Sequence, residues 1–173
     1  MEKSMKPGAS LMERFEGWFV RPIEKLQEIP EGDGGFLALA CALFLCERYY
    51  RALTKTHYGR GEDKPFKVAA AEDFGLTLEE FQCFWMVYRN GVQHQGIPRR
   101  YIDSNKVEYV WHIADEFGAI PEFYKINANK IEIRLNVWKF ADLIISKLKS
   151  NPSVFRVAMT HSFAEVRENN QGK

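Results

Sequence analysis

The sequence predicts a mainly α-helical domain, a bundle of four to five helices with one small β-hairpin, on three observations. Apolar residues recur at helical spacing through most of the chain. The run from Phe36 to Leu45 is apolar on all sides, as expected of a helix enclosed by neighbouring helices or by a second subunit. Strict alternation is confined to Ile131, Ile133 and Leu135 around Glu132 and Arg134.

The first helix spans Leu11 to Ile29, with Leu11, Phe15, Trp18, Phe19, Ile23 and Leu26 on its apolar face and Pro22 kinking or restarting it. Gly32, Asp33, Gly34 and Gly35 break the pattern before the second, central helix. Beyond Glu47 that helix carries Arg48, Arg51 and Lys55 at i, i+3 and i+7, a basic stripe that reads as a solvated face or as a phosphate-binding one. Thr56 to Pro65 reads as a loop, followed by a short helical turn ending at Gly75. Thr77 and Glu80 form a capping box, with Leu76 and Phe81 placed as a hydrophobic staple. The helix they start puts Phe81, Phe84, Trp85, Tyr88 and Val92 on its apolar face and stops at Gly96 and Pro98. Val107, Val110, Trp111, Ala114 and Phe117 predict a fourth helix stopping at Gly118. Phe123 to Ile126 and Ile131 to Leu135 predict a hairpin around Asn127-Ala128-Asn129-Lys130. A last helix, capped by Asn136, carries Val137, Phe140, Ala141, Ile144, Ile145 and Leu148. Residues 1–150 thus form one domain, and 151–173 a polar tail, disordered from Arg167 onward.

Composition narrows the function. With 173 residues, 46% hydrophobic, and a net charge of +1, the chain lacks the basic excess of a protein that coats nucleic acid, so any RNA or DNA contact is local. Cys41, Cys46 and Cys83 sit in apolar stretches without metal-ligand or disulfide spacing, which fits a reducing cytoplasm. Met1 to Ser10 lacks the apolar core of a signal peptide, and the apolar run Gly35 to Cys46 is too short to cross a bilayer, so neither export nor a membrane span is expected.

Chemistry concentrates in Arg89-Asn90-Gly91-Val92-Gln93-His94 at the end of the capping-box helix. Arginine offers a permanently charged, bidentate donor to phosphate oxygens, and imidazole titrates near neutral pH and can move a proton. On a straight helix Asn90 and His94 share a face, whereas Arg89 and His94 lie about 140° apart around the axis. Convergence of those two needs the reach of arginine, a relaxed last turn, or a second copy related by a two-fold axis. Gly91 costs about 1 kcal/mol relative to alanine inside a helix, a cost usually offset by close backbone approach or local irregularity.

Arginine, a polar residue, three intervening residues and histidine at a helix end resemble the HEPN superfamily (higher eukaryotes and prokaryotes nucleotide-binding), whose signature is R-x4-6-H. The architecture from Leu11 to Ser150 is similar to an HEPN-like bundle, and Glu47 stands where a polar residue of an earlier helix often supports the family's site. The resemblance implies a metal-independent endoribonuclease without a cofactor, with Arg89, Asn90 and His94 as catalytic residues. The ribose 2′-hydroxyl attacks its own phosphate and leaves a 2′,3′-cyclic phosphate. It also implies a homodimer with two motifs together, a role in defence or as a toxin, and an antitoxin or other regulatory protein as partner. Members paired with a nucleotidyltransferase antitoxin often continue as R-x4-H-x-Y; the corresponding position here is Gly96. Arg48, Arg51, Arg99, Arg100 and Lys106 are candidates for holding the RNA backbone, with solubility as their ordinary role.

Two alternatives stand beside cleavage. A catalytically silent dimer that binds RNA or protein needs the fold and its apolar interface but not Arg89 and His94. A metal site on the fourth helix would use Glu108, His112, Asp115 and Glu116, yet no matching ligand motif appears on another helix.

Overall fold

The computed structural model describes residues 10–56 and 63–160. Helix α1 (Leu11–Phe15) opens on a capping box in which Ser10 Oγ accepts from the Glu13 N–H at 3.2 Å and the Glu13 carboxylate accepts from the Ser10 N–H at 2.6 Å. A π-helical turn (Glu16–Val20) joins it to α2 (Arg21–Gln27), whose first turn contains Pro22. The Arg21 N–H reaches back five residues to the Glu16 carbonyl, and the wider turn makes room for a ring that would block an α-helical ladder. The expected proline break is therefore a restart through a π turn.

Helix α3 (Gly35–Thr54) is the centre of the helical layer and packs against α2, against α4 (Asp63–Phe74), and against two helices near the end of the chain, α7 (Val137–Ser150) and α8 (Pro152–Thr160). Ala38, Leu39, Ala42, Leu43, Leu45 and Cys46 are buried on it. It is not enclosed all round, because Leu37 and Phe44, two turns apart, are 63% and 48% exposed. Helix α4 is 12 residues long and starts inside the stretch read as a loop; residues 57–62 of that stretch lie outside the described residues.

The next helix starts as its sequence specifies. Thr77 Oγ1 accepts from the Glu80 N–H at 3.1 Å, and Glu80 accepts from the Thr77 N–H at 2.8 Å. From there α5 (Leu78–Phe84), a π turn (Trp85–Arg89) and α6 (Asn90–Gln95) run on as one rod, closed by Gly96 at φ 79°.

The mainly helical bundle with a small hairpin is corrected to an α+β fold. Strands β1 (Tyr101–Ile102), β2 (Glu108–Ile113), β3 (Glu122–Asn127) and β4 (Lys130–Leu135) form a mixed sheet in the order β1-β2-β4-β3. The predicted fourth helix is strand β2, paired antiparallel with β1 and parallel with β4, with Tyr109 opposite Ile131 and Ile113 opposite Leu135. The predicted hairpin is present as β3 and β4, but it is half of a larger sheet. Tyr88 fixes the sheet to the helices, donating from its buried hydroxyl to the Ile133 carbonyl at 2.7 Å.

Asn136 caps α7, its side-chain oxygen accepting from the Lys139 N–H at 2.9 Å, and the apolar stripe from Val137 to Leu148 is buried. Ordered structure continues past Ser150: α8 buries Val154, Phe155, Ala158 and Met159 where the sequence reading places a polar tail. The expected disorder from Arg167 lies outside the described residues. Among the described residues no helix is long and apolar enough to cross a membrane.

Candidate functional site

A buried carboxylate ties the central helix to the motif helix. Glu47 is 4% exposed, and a carboxylate so far from water is tolerated only when its charge and lone pairs are matched. Its Oε1 accepts from Arg51 Nε at 3.0 Å, one turn along α3. Its Oε2 accepts from Arg89 Nη2 at 2.9 Å and Nε at 3.2 Å. The Arg89 guanidinium also lies 5.8 Å from the Trp85 ring centroid, and Nη1 lies 3.4 Å from Asn90 Oδ1.

Arg89 and Asn90 stand at the junction of the π turn with α6, and the chain folds back over this junction. The Arg99 N–H donates to the Val87 carbonyl at 2.9 Å, and Arg99 Nε donates to the Met86 carbonyl at 3.1 Å. A Cβ on Gly91 would lie 2.5 Å from Arg99 N and 2.8 Å from Pro98 Cα. Glycine is thus required at position 91 by close backbone approach, one of the two reasons its sequence position allows.

These groups border a cleft of about 480 Å³ lined by Glu47, Arg51, Asp63, Lys67, Gln82, Trp85, Met86, Arg89, Asn90 and Tyr101. Arg51 reaches across it to Asp63, and its guanidinium lies 4.4 Å over the Phe66 ring. Lys67 Nζ is 3.6 Å from the other Asp63 oxygen. Burial works to raise the Asp63 pKa, and the Arg51 hydrogen bond with the nearby Lys67 charge outweighs it, holding the carboxyl below its ordinary range. The cleft therefore presents three cations against two carboxylates, both already engaged.

The structure brings Arg89, Asn90 and Glu47 together and leaves His94 apart. His94 is exposed near the end of α6, does not line the cleft, and its side chain makes no hydrogen bond or ion pair among the described residues. The straight-helix offset applies, because the π turn ends at Arg89 and α6 is regular from Asn90 onward.

The basic candidates are placed differently from a solvated stripe. Arg51 is buried in the Glu47 network, and Arg48 Nε donates to the Ala158 carbonyl at 2.8 Å, holding α8 against α3. Arg99 is spent on the π turn. Arg100 is exposed and pairs with Glu108 at 2.8 Å, and Lys106 occupies a left-handed turn position at φ 65°. The metal alternative loses its premise, since Glu108 and His112 stand on a strand and pair with Arg100, Lys130 and Glu132.

Sequence reading missed Asp63, Lys67, Gln82 and Tyr101 as cleft residues. The spacing of Asp63 and Lys67, i and i+4, was a legible signal of a shared helix face. Nothing local announces Tyr101, which the return of the chain over Gly91 delivers. No family model matches the chain, and neither a curated protein nor a solved structure matches it.

Proposed function

We propose that this chain is a metal-independent endoribonuclease of the HEPN type, working as a homodimer. The observation that carries the reading is a guanidinium at a cleft wall, Arg89, oriented by the buried Glu47 and flanked by Asn90. In this reading the 2′-oxygen bonds to phosphorus as its proton leaves to a base, the P–O5′ bond breaks, and the 5′-oxygen takes up a proton. Arg89 stabilises the charge that builds on the phosphorane oxygens. His94 moves the proton. Because His94 of one chain does not face its own Arg89 cleft, a second copy is needed to complete the site. Support for that copy comes from exposed Leu37 and Phe44 and from an apolar recess between α3 and α6, lined by Ala40, Leu43, Phe44, Val92 and Gln93, which Arg89 also borders. An RNA-cleaving activity of this kind belongs to a defence or toxin system and calls for a regulatory partner.

A silent RNA- or protein-binding dimer is favoured by one observation: two of the three Arg89 nitrogens already donate to Glu47. Complementation separates the readings. Arg89→Lys keeps a positive charge opposite Glu47 but removes the planar fork, and His94→Ala removes the proton carrier. Each alone is expected to lose RNA cleavage, and mixing the two to restore part of it through heterodimers carrying one intact site. Two variants that cleave like the wild type would sink the enzyme reading. Two inactive variants that stay inactive when mixed would sink the shared site.

A further inference from the structure

The cleft beside Arg89 is larger than one arginine needs, and its remaining walls are chemically diverse. Its volume of about 480 Å³ falls within the roughly 300–1,000 Å³ typical of small-molecule sites. Gln82, Met86 and Asn90 follow one another at four-residue steps along a single ridge of the motif rod. Gln82 is exposed, and its side chain makes no hydrogen bond among the described residues. The Asn90 amide donates to the Met86 thioether at 3.0 Å, a weak acceptor that a better one can displace. Tyr101 on the edge strand also lines the cleft, half-buried, with its ring 6.0 Å from that of Tyr109. In the same cleft Lys67 and Arg51 hold Asp63, whose side chain is half exposed. Arg51 is also held by Glu47, so its position does not depend on Asp63.

We infer that this cleft seats one nucleotide of the RNA next to the cleaved linkage. The inference rests on the ribonuclease reading for the identity of the polymer, not for the chemistry of the pocket. The phosphate enters between Arg51 and Lys67, taking the place of the Asp63 carboxylate, an anion already held there. The base stacks on Tyr101, and the Gln82 and Asn90 amides hydrogen-bond to its edge. Aromatic stacking beside a cationic wall is how unpaired bases are commonly held.

The test is calorimetric binding of uridine and adenosine 3′-monophosphates, the parent nucleosides, and a short single-stranded RNA to the full chain. The background is His94→Ala, so that nothing is cut, with folding followed by circular dichroism. Mononucleotides are expected to bind with a dissociation constant of about 1 mM or tighter, and the RNA more tightly. Lys67→Gln should weaken mononucleotides about tenfold and leave the nucleosides unaffected. Tyr101→Leu should weaken both, Tyr101→Phe neither, and the remote Lys125→Gln neither. Binding with this dependence supports the pocket whether or not wild-type protein cleaves RNA. Absence of mononucleotide binding overturns it even if RNA is cleaved, as does binding that ignores Lys67 and Tyr101. RNA no tighter than the mononucleotide overturns its assignment to RNA in favour of a free nucleotide.

Discussion

At the scale of the residue, Glu47 joins the central helix to the proposed site. Removing it leaves the Arg89 guanidinium, only 21% exposed, without its counter-charge, and breaking such pairs costs about 3–5 kcal/mol. Glu47→Ala is expected near the lower end, because Arg51 keeps Asp63, and urea unfolding reads the loss directly. A loss below about 1 kcal/mol would mean that the carboxylate does not organise the site. A second carboxylate contributes to acid sensitivity. Burial works to raise the Asp73 pKa, but hydrogen bonds from Lys147, at 2.6 Å, and from the buried Tyr50 hydroxyl outweigh it, so the folded-state value is lowered. A lowered carboxylate pKa stabilises the fold above the unfolded value, about 3.9, and that contribution fades as pH falls through the folded value. Lys147→Met should therefore lose stability at neutral pH, with the gap from wild type closing below about pH 4. A gap constant across that range would contradict the assignment.

At the scale of the element, the π turn and the segment that returns over it are fitted closely to each other. Alanine at position 91 would gain helix propensity of about 1 kcal/mol. It would also drive its Cβ into the backbone of Pro98 and Arg99, and overpacking of that kind costs about 1–3 kcal/mol. Gly91→Ala is expected to lower the melting temperature, whereas the same change at Gly17, where a Cβ meets nothing, should not. An unchanged melting temperature for Gly91→Ala would mean that the return segment packs elsewhere. Elements were legible where their signals are local: the Thr77 capping box, the Asn136 cap and the β3–β4 hairpin each lie within a few residues. Strand β2 was not, because Val107, Val110, Trp111 and Ala114 fit helical spacing as well as Tyr109, Trp111 and Ile113 fit alternation. What selects the strand is its parallel pairing with β4, a contact across some twenty residues that no turn motif announces. The site divides in the same way. Arg89, Asn90 and the supporting Glu47 could be named from sequence, whereas Asp63, Lys67 and Tyr101 reach the cleft by tertiary packing. The basic stripe misled because spacing shows a shared face and not whether that face meets water. Arg51 turns to Glu47 and Arg48 to α8.

At the scale of the whole molecule, the proposal needs two copies, since one chain holds its guanidinium in a cleft and its imidazole outside it. Phe44, 48% exposed beside the apolar recess that Arg89 borders, is the residue on which a mate would pack. Phe44→Glu should convert a dimer to a monomer by light scattering and abolish cleavage while leaving the circular dichroism spectrum unchanged. A wild type that is monomeric at working concentration and still cleaves would refute the shared site. The most direct measurement is digestion of end-labelled single-stranded RNA in excess chelator by wild type and by His94→Ala, with product ends resolved. The account predicts 2′,3′-cyclic phosphate ends from the wild type and a rate lower by about a hundredfold or more in the variant. A folded, dimeric wild type that leaves RNA intact, or a variant that cuts as fast as the wild type, would contradict it.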